Sequence, residues 1–122
     1  MRIHFELRVG LSTFIKNTDM DLQQNDWVEK QNDYEEVILL DVRTAEEYAE
    51  KHLPNAQMLD INDAKNFMEG LDQLDKSKAY FVYCRSGARS ARACAVMQQY
   101  GFPVTFNLLG GILEWTGEIV QG

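Results

Sequence analysis

Cysteine, proline and histidine are each scarce in this 122-residue chain, with two apiece. Cys84 and Cys94 lie within ten residues of each other, in what reads as one loop-plus-helix unit. Such a pair builds no disulfide framework, so reduced thiols and a cytoplasmic setting are expected. No apolar run approaches the roughly 20 residues that span a bilayer. The N-terminus has no clean apolar stretch followed by a small-residue cleavage site. Neither a membrane partner nor a signal peptide is therefore expected. Cations are also in the minority, 12 Lys and Arg against 19 Asp and Glu for a net charge of −7. That balance argues against a general nucleic-acid binder, whose affinity comes largely from neutralising phosphates. Internal repeats and low-complexity segments are absent. With 45% hydrophobic and 25% charged residues, the composition is that of an ordinary globular domain, and the length suits one core.

The charge that is present is unevenly placed. Most acids fall between residues 17 and 79. From residue 80 onward the cations are three arginines, Arg85, Arg89 and Arg92, against Glu114 and Glu118. The stretch holding both cysteines is thus locally cationic inside an acidic chain. Three arginines at one helix start can arise by chance; an anion site is the sharper alternative.

Periodicity supplies the elements. Ile3, Phe5, Leu7 and Val9 alternate with polar residues, a half-buried strand pattern closed by Gly10, with His4 on its polar face. A helix is expected over 20–31, capped by Thr18 or Asp19, with Leu22, Trp27 and Val28 buried. Val37 to Leu40 is a continuous apolar run, as expected of a fully buried parallel strand, and Asp41 closes it. Thr44 and Glu47 form a capping box for a helix through Lys51. Pro54-Asn55 marks a turn, Ala56 to Ile61 a further strand, and Asn62 the cap of a helix ending at Gly70. Leu71 to Lys78 is a polar connection. Ala79 to Tyr83 is a second buried strand running into Cys84. A helix over 88–100 is stopped by Gly101 and Pro103. Val104 to Phe106 is a third buried strand, and a closing helix over 112–120 carries Trp115. The expected fold class is α/β, an open, mostly parallel sheet with helices on both faces. Ligands bind such sheets at the carboxyl ends of the strands, where Asp41 and Cys84 lie.

The segment Cys84-Arg85-Ser86-Gly87-Ala88-Arg89-Ser90 carries the chemistry. A cysteine ending a buried strand meets a tight loop that opens a helix. Backbone N–H groups of the loop turn inward, and the unpaired N–H groups of the helix start add partial positive charge. A thiol facing that cradle is stabilised as thiolate, its nucleophilic form, and Arg85 and Arg89 add to this. Gly87 permits positive φ or close approach of backbone to a ligand. The plain alternative is a buried strand-end cysteine followed by an ordinary loop.

From about Asp19 to Gly122, the chain resembles the rhodanese-like sulfurtransferase family. The matching segments are Leu39-Leu40-Asp41-Val42-Arg43 with Glu46-Glu47-Tyr48, His52-Leu53-Pro54-Asn55-Ala56, the cysteine loop, Gly101-Phe102, and Asn107-Leu108-Leu109-Gly110-Gly111-Ile112 with Trp115. On this reading residues 1–18 are an N-terminal extension, adding an edge strand or pairing with another molecule, and 19–122 are the rhodanese-like domain; Met20 is an alternative start. The resemblance implies that Cys84 attacks the sulfane sulfur of thiosulfate or a persulfide. It then passes that sulfur to a thiol or cyanide, with no metal and no organic cofactor. Arg85, Ser86, Gly87, Ala88 and Arg89 are the expected substrate-binding loop. Asp41 is expected to pair with Arg85 and, with Arg43 as a structural ion-pair partner, to support it. Partners are a small sulfur donor and a thiol acceptor, or a protein persulfide. In relatives specialised for thiosulfate, cations stand where this chain has Glu47 and Ser86, which leaves a protein-bound or low-molecular-weight persulfide as the alternative donor to thiosulfate here.

Phosphatases and arsenate reductases of similar topology place five residues between Cys and Arg. Here four separate Cys84 from Arg89, the shorter, sulfur-handling spacing. A sulfur-carrier or binding module is the other alternative, though inactive binding domains more typically lack the cysteine. Cys94 shares an apolar helix face with Ala93 and Met97 and reads as core, with a resolving thiol the lesser alternative. His52, Trp27 and Trp115 read as structural.

Overall fold

The computed structural model describes residues 20–122. The strand pattern of 2–9 and the expected caps Thr18 and Asp19 lie outside the described residues. In chain order the elements are β1 (Asp21–Leu22), α1 (Gln24–Lys30) with a 3-10 turn (Gln31–Asp33), β2 (Val37–Asp41), α2 (Ala45–Glu50) and β3 (Gln57–Met58). They continue with α3 (Ala64–Gln73), β4 (Ala79–Tyr83), α4 (Ala88–Gln99), β5 (Thr105–Leu108) and a 3-10 turn (Ile112–Glu114). The sheet order is β1-β5-β4-β2-β3, and every strand pairing among the described residues is parallel. The expected α/β architecture is the one observed.

β4 lies at the centre and is buried along its whole length, which is why it reads as an unbroken apolar run. Its side chains alternate between two cores. Tyr80 and Val82 face a cluster with Phe67 and Leu71 of α3 and Ala93, Cys94 and Met97 of α4. Ala79, Phe81 and Tyr83 face the opposite cluster with Trp27 of α1, Leu53 and Ile112. The sheet is therefore covered on both faces, and the loops at its carboxyl edge are where ligands bind in folds of this kind.

Several boundaries differ from expectation, each because a non-local contact wins. The helix expected over 20–31 begins only at Gln24. Asp21 and Leu22 instead extend the sheet beside Asn107 and Leu108, with the Asn107 N–H donating to the Met20 carbonyl at 2.6 Å. Trp27 is fully buried as expected, its indole N–H donating to the Phe106 carbonyl, but Val28 is 44% exposed and Leu22 half-buried. The strand expected over 56–61 shortens to Gln57–Met58. α3 is capped by Asp63 rather than Asn62 and runs past Gly70, because Phe67 and Leu71 bury one i, i+4 face. The third buried strand sits slightly later, at Thr105–Leu108. The closing helix reduces to the turn Ile112–Glu114. Beyond it, Trp115 donates to the Glu118 carbonyl, and Val120 pairs antiparallel with His52 through hydrogen bonds of 2.8 and 2.9 Å. Those bonds occupy backbone groups a helix would need.

Candidate active site

Cys84 follows β4 directly, and its side chain is sunk to 1% exposure. Gly87 turns the chain with φ +106° and starts α4. That left-handed residue lets the loop curl over the sulfur, a conformation L side chains rarely adopt. The Gly87 N–H donates to Sγ at 3.1 Å, the Ser90 N–H at 3.4 Å, and Ser90 Oγ lies 3.3 Å away. Burial by itself pushes the Cys84 thiol pKa up. The Ser90 hydroxyl, then the N–H groups of Ser90, Gly87 and Ser86, outweigh it, so the net direction is down. The cradle expected from the sequence is thus assembled.

A second loop clamps the first. The Ile112 and Leu113 N–H groups donate to the carbonyls of Cys84 and Arg85 at 2.9 and 3.0 Å. Gly111, at φ +58°, sits so close that any Cβ there would run into those same two carbonyls.

The arginines separate in role. Arg43, not Arg85, takes Asp41: Nη2 meets Oδ2 at 2.7 Å, and both Nε and the backbone N–H of Arg43 reach Oδ1. Asp41 is fully buried, and Arg43 nearly so. The strand ends at Asp41 and the chain bends at Arg43, which turns the Arg43 backbone N–H and guanidinium back onto the Asp41 carboxylate. The expected Asp41–Arg85 pair is therefore replaced by Asp41–Arg43, with Arg43 also donating to the Lys51 carbonyl at 2.7 Å. Arg85 is exposed and borders a cleft of about 210 Å³ with Glu47, Lys51 and Leu113.

Arg89, expected to bind substrate, is held by Glu47 through two bonds of 2.8 and 2.9 Å. Glu47 Oε1 also accepts from the Thr44 N–H and hydroxyl, completing the capping box of α2. The Arg89 contact, working against partial burial, holds the Glu47 carboxyl down at about 2. Arg89 also senses charge on Cys84 and on Asp60. Arg89, which feels the charge on Cys84, is thus already paired with a carboxylate.

Ser90 and Asn107 were not singled out as functional by sequence reasoning. Ser90 was legible in principle, since a hydroxyl in the first turn after the loop returns toward the cysteine. Asn107 enters the sequence reading only as part of a family-matching segment, and it reaches Ser90 from another strand. Cys94 is fully buried, and burial pushes its thiol up to about 12. His52 stacks on Tyr48 at 3.7 Å, and its Nδ1 lies 2.8 Å from the Tyr48 carbonyl, a structural arrangement.

The family model for the rhodanese-like domain matches residues 24–118. YtwF of Bacillus subtilis is 43% identical over 84 residues, covering 69% of this chain and 78% of its own length. A protein named sulfurtransferase from Allochromatium vinosum is 40% identical over 83 residues, covering 68% and 75% respectively. Among solved structures, a rhodanese-like domain protein from Staphylococcus aureus superposes with a TM-score of 0.70 at 25% identity. That match covers 84% of this chain and 97% of the other.

Proposed function

The chain belongs to the rhodanese-like domain family and is a rhodanese-type sulfurtransferase, and on that premise we propose that Cys84 carries the transferred sulfur as a persulfide. The observation that carries this reading is the convergence of the Gly87 N–H, the Ser90 N–H and the Ser90 hydroxyl on one buried sulfur. These groups favour the thiolate, which attacks the outer sulfur of a donor R–S–SH. The S–S bond of the donor breaks, its electron pair leaves with RS⁻, and Cys84 becomes Cys84–S–SH. In the second half-reaction an acceptor thiolate or cyanide attacks the outer sulfur, and the Cys84 thiolate is regenerated. Two displacements on one sulfur make the kinetics ping-pong. The scheme calls for no metal and no organic cofactor.

The Glu47–Arg89 pair argues for the donor class. Thiosulfate brings two negative charges to the loop mouth, where Arg89 is already neutralised by an ionised carboxylate. A low-molecular-weight or protein persulfide brings at most one charge at its reacting end. We therefore assign a persulfide as the better donor, with Arg85 the exposed cation beside the cleft.

Intact-protein mass spectrometry tests the scheme. Reduced protein is mixed with glutathione persulfide or, separately, with thiosulfate. The expected result is a gain of one sulfur atom, larger with the persulfide, reversed by cyanide and absent in Cys84→Ser. A folded protein that gains no sulfur from either donor overturns it.

A further inference from the structure

Pairing of β1 with β5 sets Asp21 opposite Asn107, which lines up a carboxylate, an amide and the Ser90 hydroxyl behind Cys84. Asn107 and Ser90 are buried, at 1% and 0% exposure. Hydrogen-bond counting fixes how the amide faces. Asn107 Nδ2 lies 2.9 Å from Asp21 Oδ1 and 3.2 Å from the Gly87 carbonyl. A carboxylate and a carbonyl only accept, so both amide hydrogens are engaged and Oδ1 must face Ser90 Oγ, 2.5 Å away.

The Ser90 hydroxyl then has one proton and two acceptors, Asn107 Oδ1 and Cys84 Sγ. It cannot serve both at once. While Cys84 is a thiol, its own S–H needs an acceptor, and the sequence Sγ–H to Oγ, then Oγ–H to Oδ1, satisfies every group. When Cys84 ionises, Sγ donates nothing and becomes the stronger acceptor.

We propose that Asn107, held by Asp21, is a positioning residue that accepts the Ser90 hydroxyl hydrogen bond while Cys84 is a thiol and loses it to Sγ when Cys84 ionises. Ionisation leaves Oδ1 buried without a donor, so Asn107 opposes it, and the β1–β5 edge tunes how readily the nucleophile forms. The proposal rests on Cys84 as the nucleophile. Other charged or titratable groups around the sulfur are Arg89 with Glu47 and Asp60 about it, Cys94 on α4, Arg85 next in the chain and Asp21 on β1. They set the baseline from which the Ser90–Asn107 contact shifts it.

Asn107→Leu tests this with little change in volume. The Gly87 carbonyl keeps its bond from the Ala91 N–H at 3.1 Å, and half-exposed Asp21 turns to water, so the buried acceptor lost is the one the Ser90 hydroxyl uses while Cys84 is a thiol. The pH profile of Cys84 alkylation by iodoacetamide is read by intact mass for wild type, Asn107→Leu, Ser90→Ala and the double variant, with a thermal melt of each. Asn107→Leu is expected to ionise at lower pH, reacting roughly three- to tenfold faster near pH 6. Ser90→Ala should ionise at higher pH, and adding Asn107→Leu to it should change nothing further. A wild-type profile for Asn107→Leu overturns the proposal, and so does an equal shift in both backgrounds. Should Asn107→Leu not fold, the Asn107 side-chain amide resonances of the wild-type protein decide. They should titrate with the alkylation midpoint in wild type and lose that titration in Ser90→Ala; no titration in wild type overturns the coupling. Failure of sulfur loading would leave these profiles intact, and failure of the coupling would leave sulfur loading intact.

Discussion

Glu47 binds Arg89 with both carboxylate oxygens and caps α2 with one of them, so a single side chain ties the helix start to the mouth of the cysteine loop. Both partners are about a quarter exposed, at 26% for Glu47 and 23% for Arg89, so water screens the pair only in part. Its weight lies in local charge. Glu47→Gln retains the cap, because glutamine serves a capping box as well. Removing the negative charge should raise kcat/KM for thiosulfate roughly three- to tenfold. The value for glutathione persulfide should stay within about twofold, measured as sulfite and thiol release. Unchanged thiosulfate kinetics would show that the pair does not discriminate donors. Because Glu47 stays ionised down to about pH 2, its titration should contribute no change in the wild-type preference between about pH 4 and 8.

The two cysteines obey opposite signs of the same linkage. Burial raises both thiols, but at Cys84 the converging donors reverse the outcome. Its folded pKa is depressed, so its contribution to stability is present above the unfolded value of about 8.5 and is lost as pH falls through the folded one. Cys94, raised to about 12, contributes below the unfolded value and loses that contribution as pH rises through about 12. Alkylation of native protein near pH 7.5 should therefore label Cys84 and spare Cys94, as checked by peptide mapping. Equal labelling would contradict both assignments.

At the scale of elements, the loop that carries Cys84 is held from two sides. On one side α4 begins at Gly87; on the other, the Gly110–Leu113 segment donates to the Cys84 and Arg85 carbonyls. Gly111→Ala puts a methyl group against those carbonyls in a left-handed conformation. It should cut sulfur loading more than tenfold; the backbone strain costs about 1–3 kcal/mol and the clash with the carbonyls adds to it, as mass spectrometry and denaturant unfolding would show. Thr44→Ala removes the α2 cap, where the hydroxyl accepts the Glu47 N–H at 3.2 Å, and should cost about 1 kcal/mol.

On the scale of the whole molecule, the Asp41–Arg43 pair joins the end of β2 to the Lys51 carbonyl after α2, inside the sheet's carboxyl edge. Arg43→Ala strands a fully buried carboxylate and should destabilise the fold by about 3–5 kcal/mol, read by denaturant unfolding. Near-wild-type stability would show that water or another cation replaces Arg43.

Local pattern was enough for the fold class and for the cysteine cradle. β2 and β4 are apolar runs of strand length, the α2 capping box is contiguous, and Cys84 to Ser90 is one unbroken segment, so neighbours in sequence are neighbours in space. Where the chain ends its helices was less legible, because the sheet edge at Asp21 and the bridge from His52 to Val120 take backbone groups that local propensity assigns to helix. Only the tertiary structure decided which partners the polar groups of the site take. Arg89 meets Glu47 across 42 residues, and Ser90 meets Asn107 across 17. Those choices depend on how helices and strands stack around the centre of the sheet, and a one-dimensional pattern carries no record of which distant donors and acceptors that stacking brings within bonding distance.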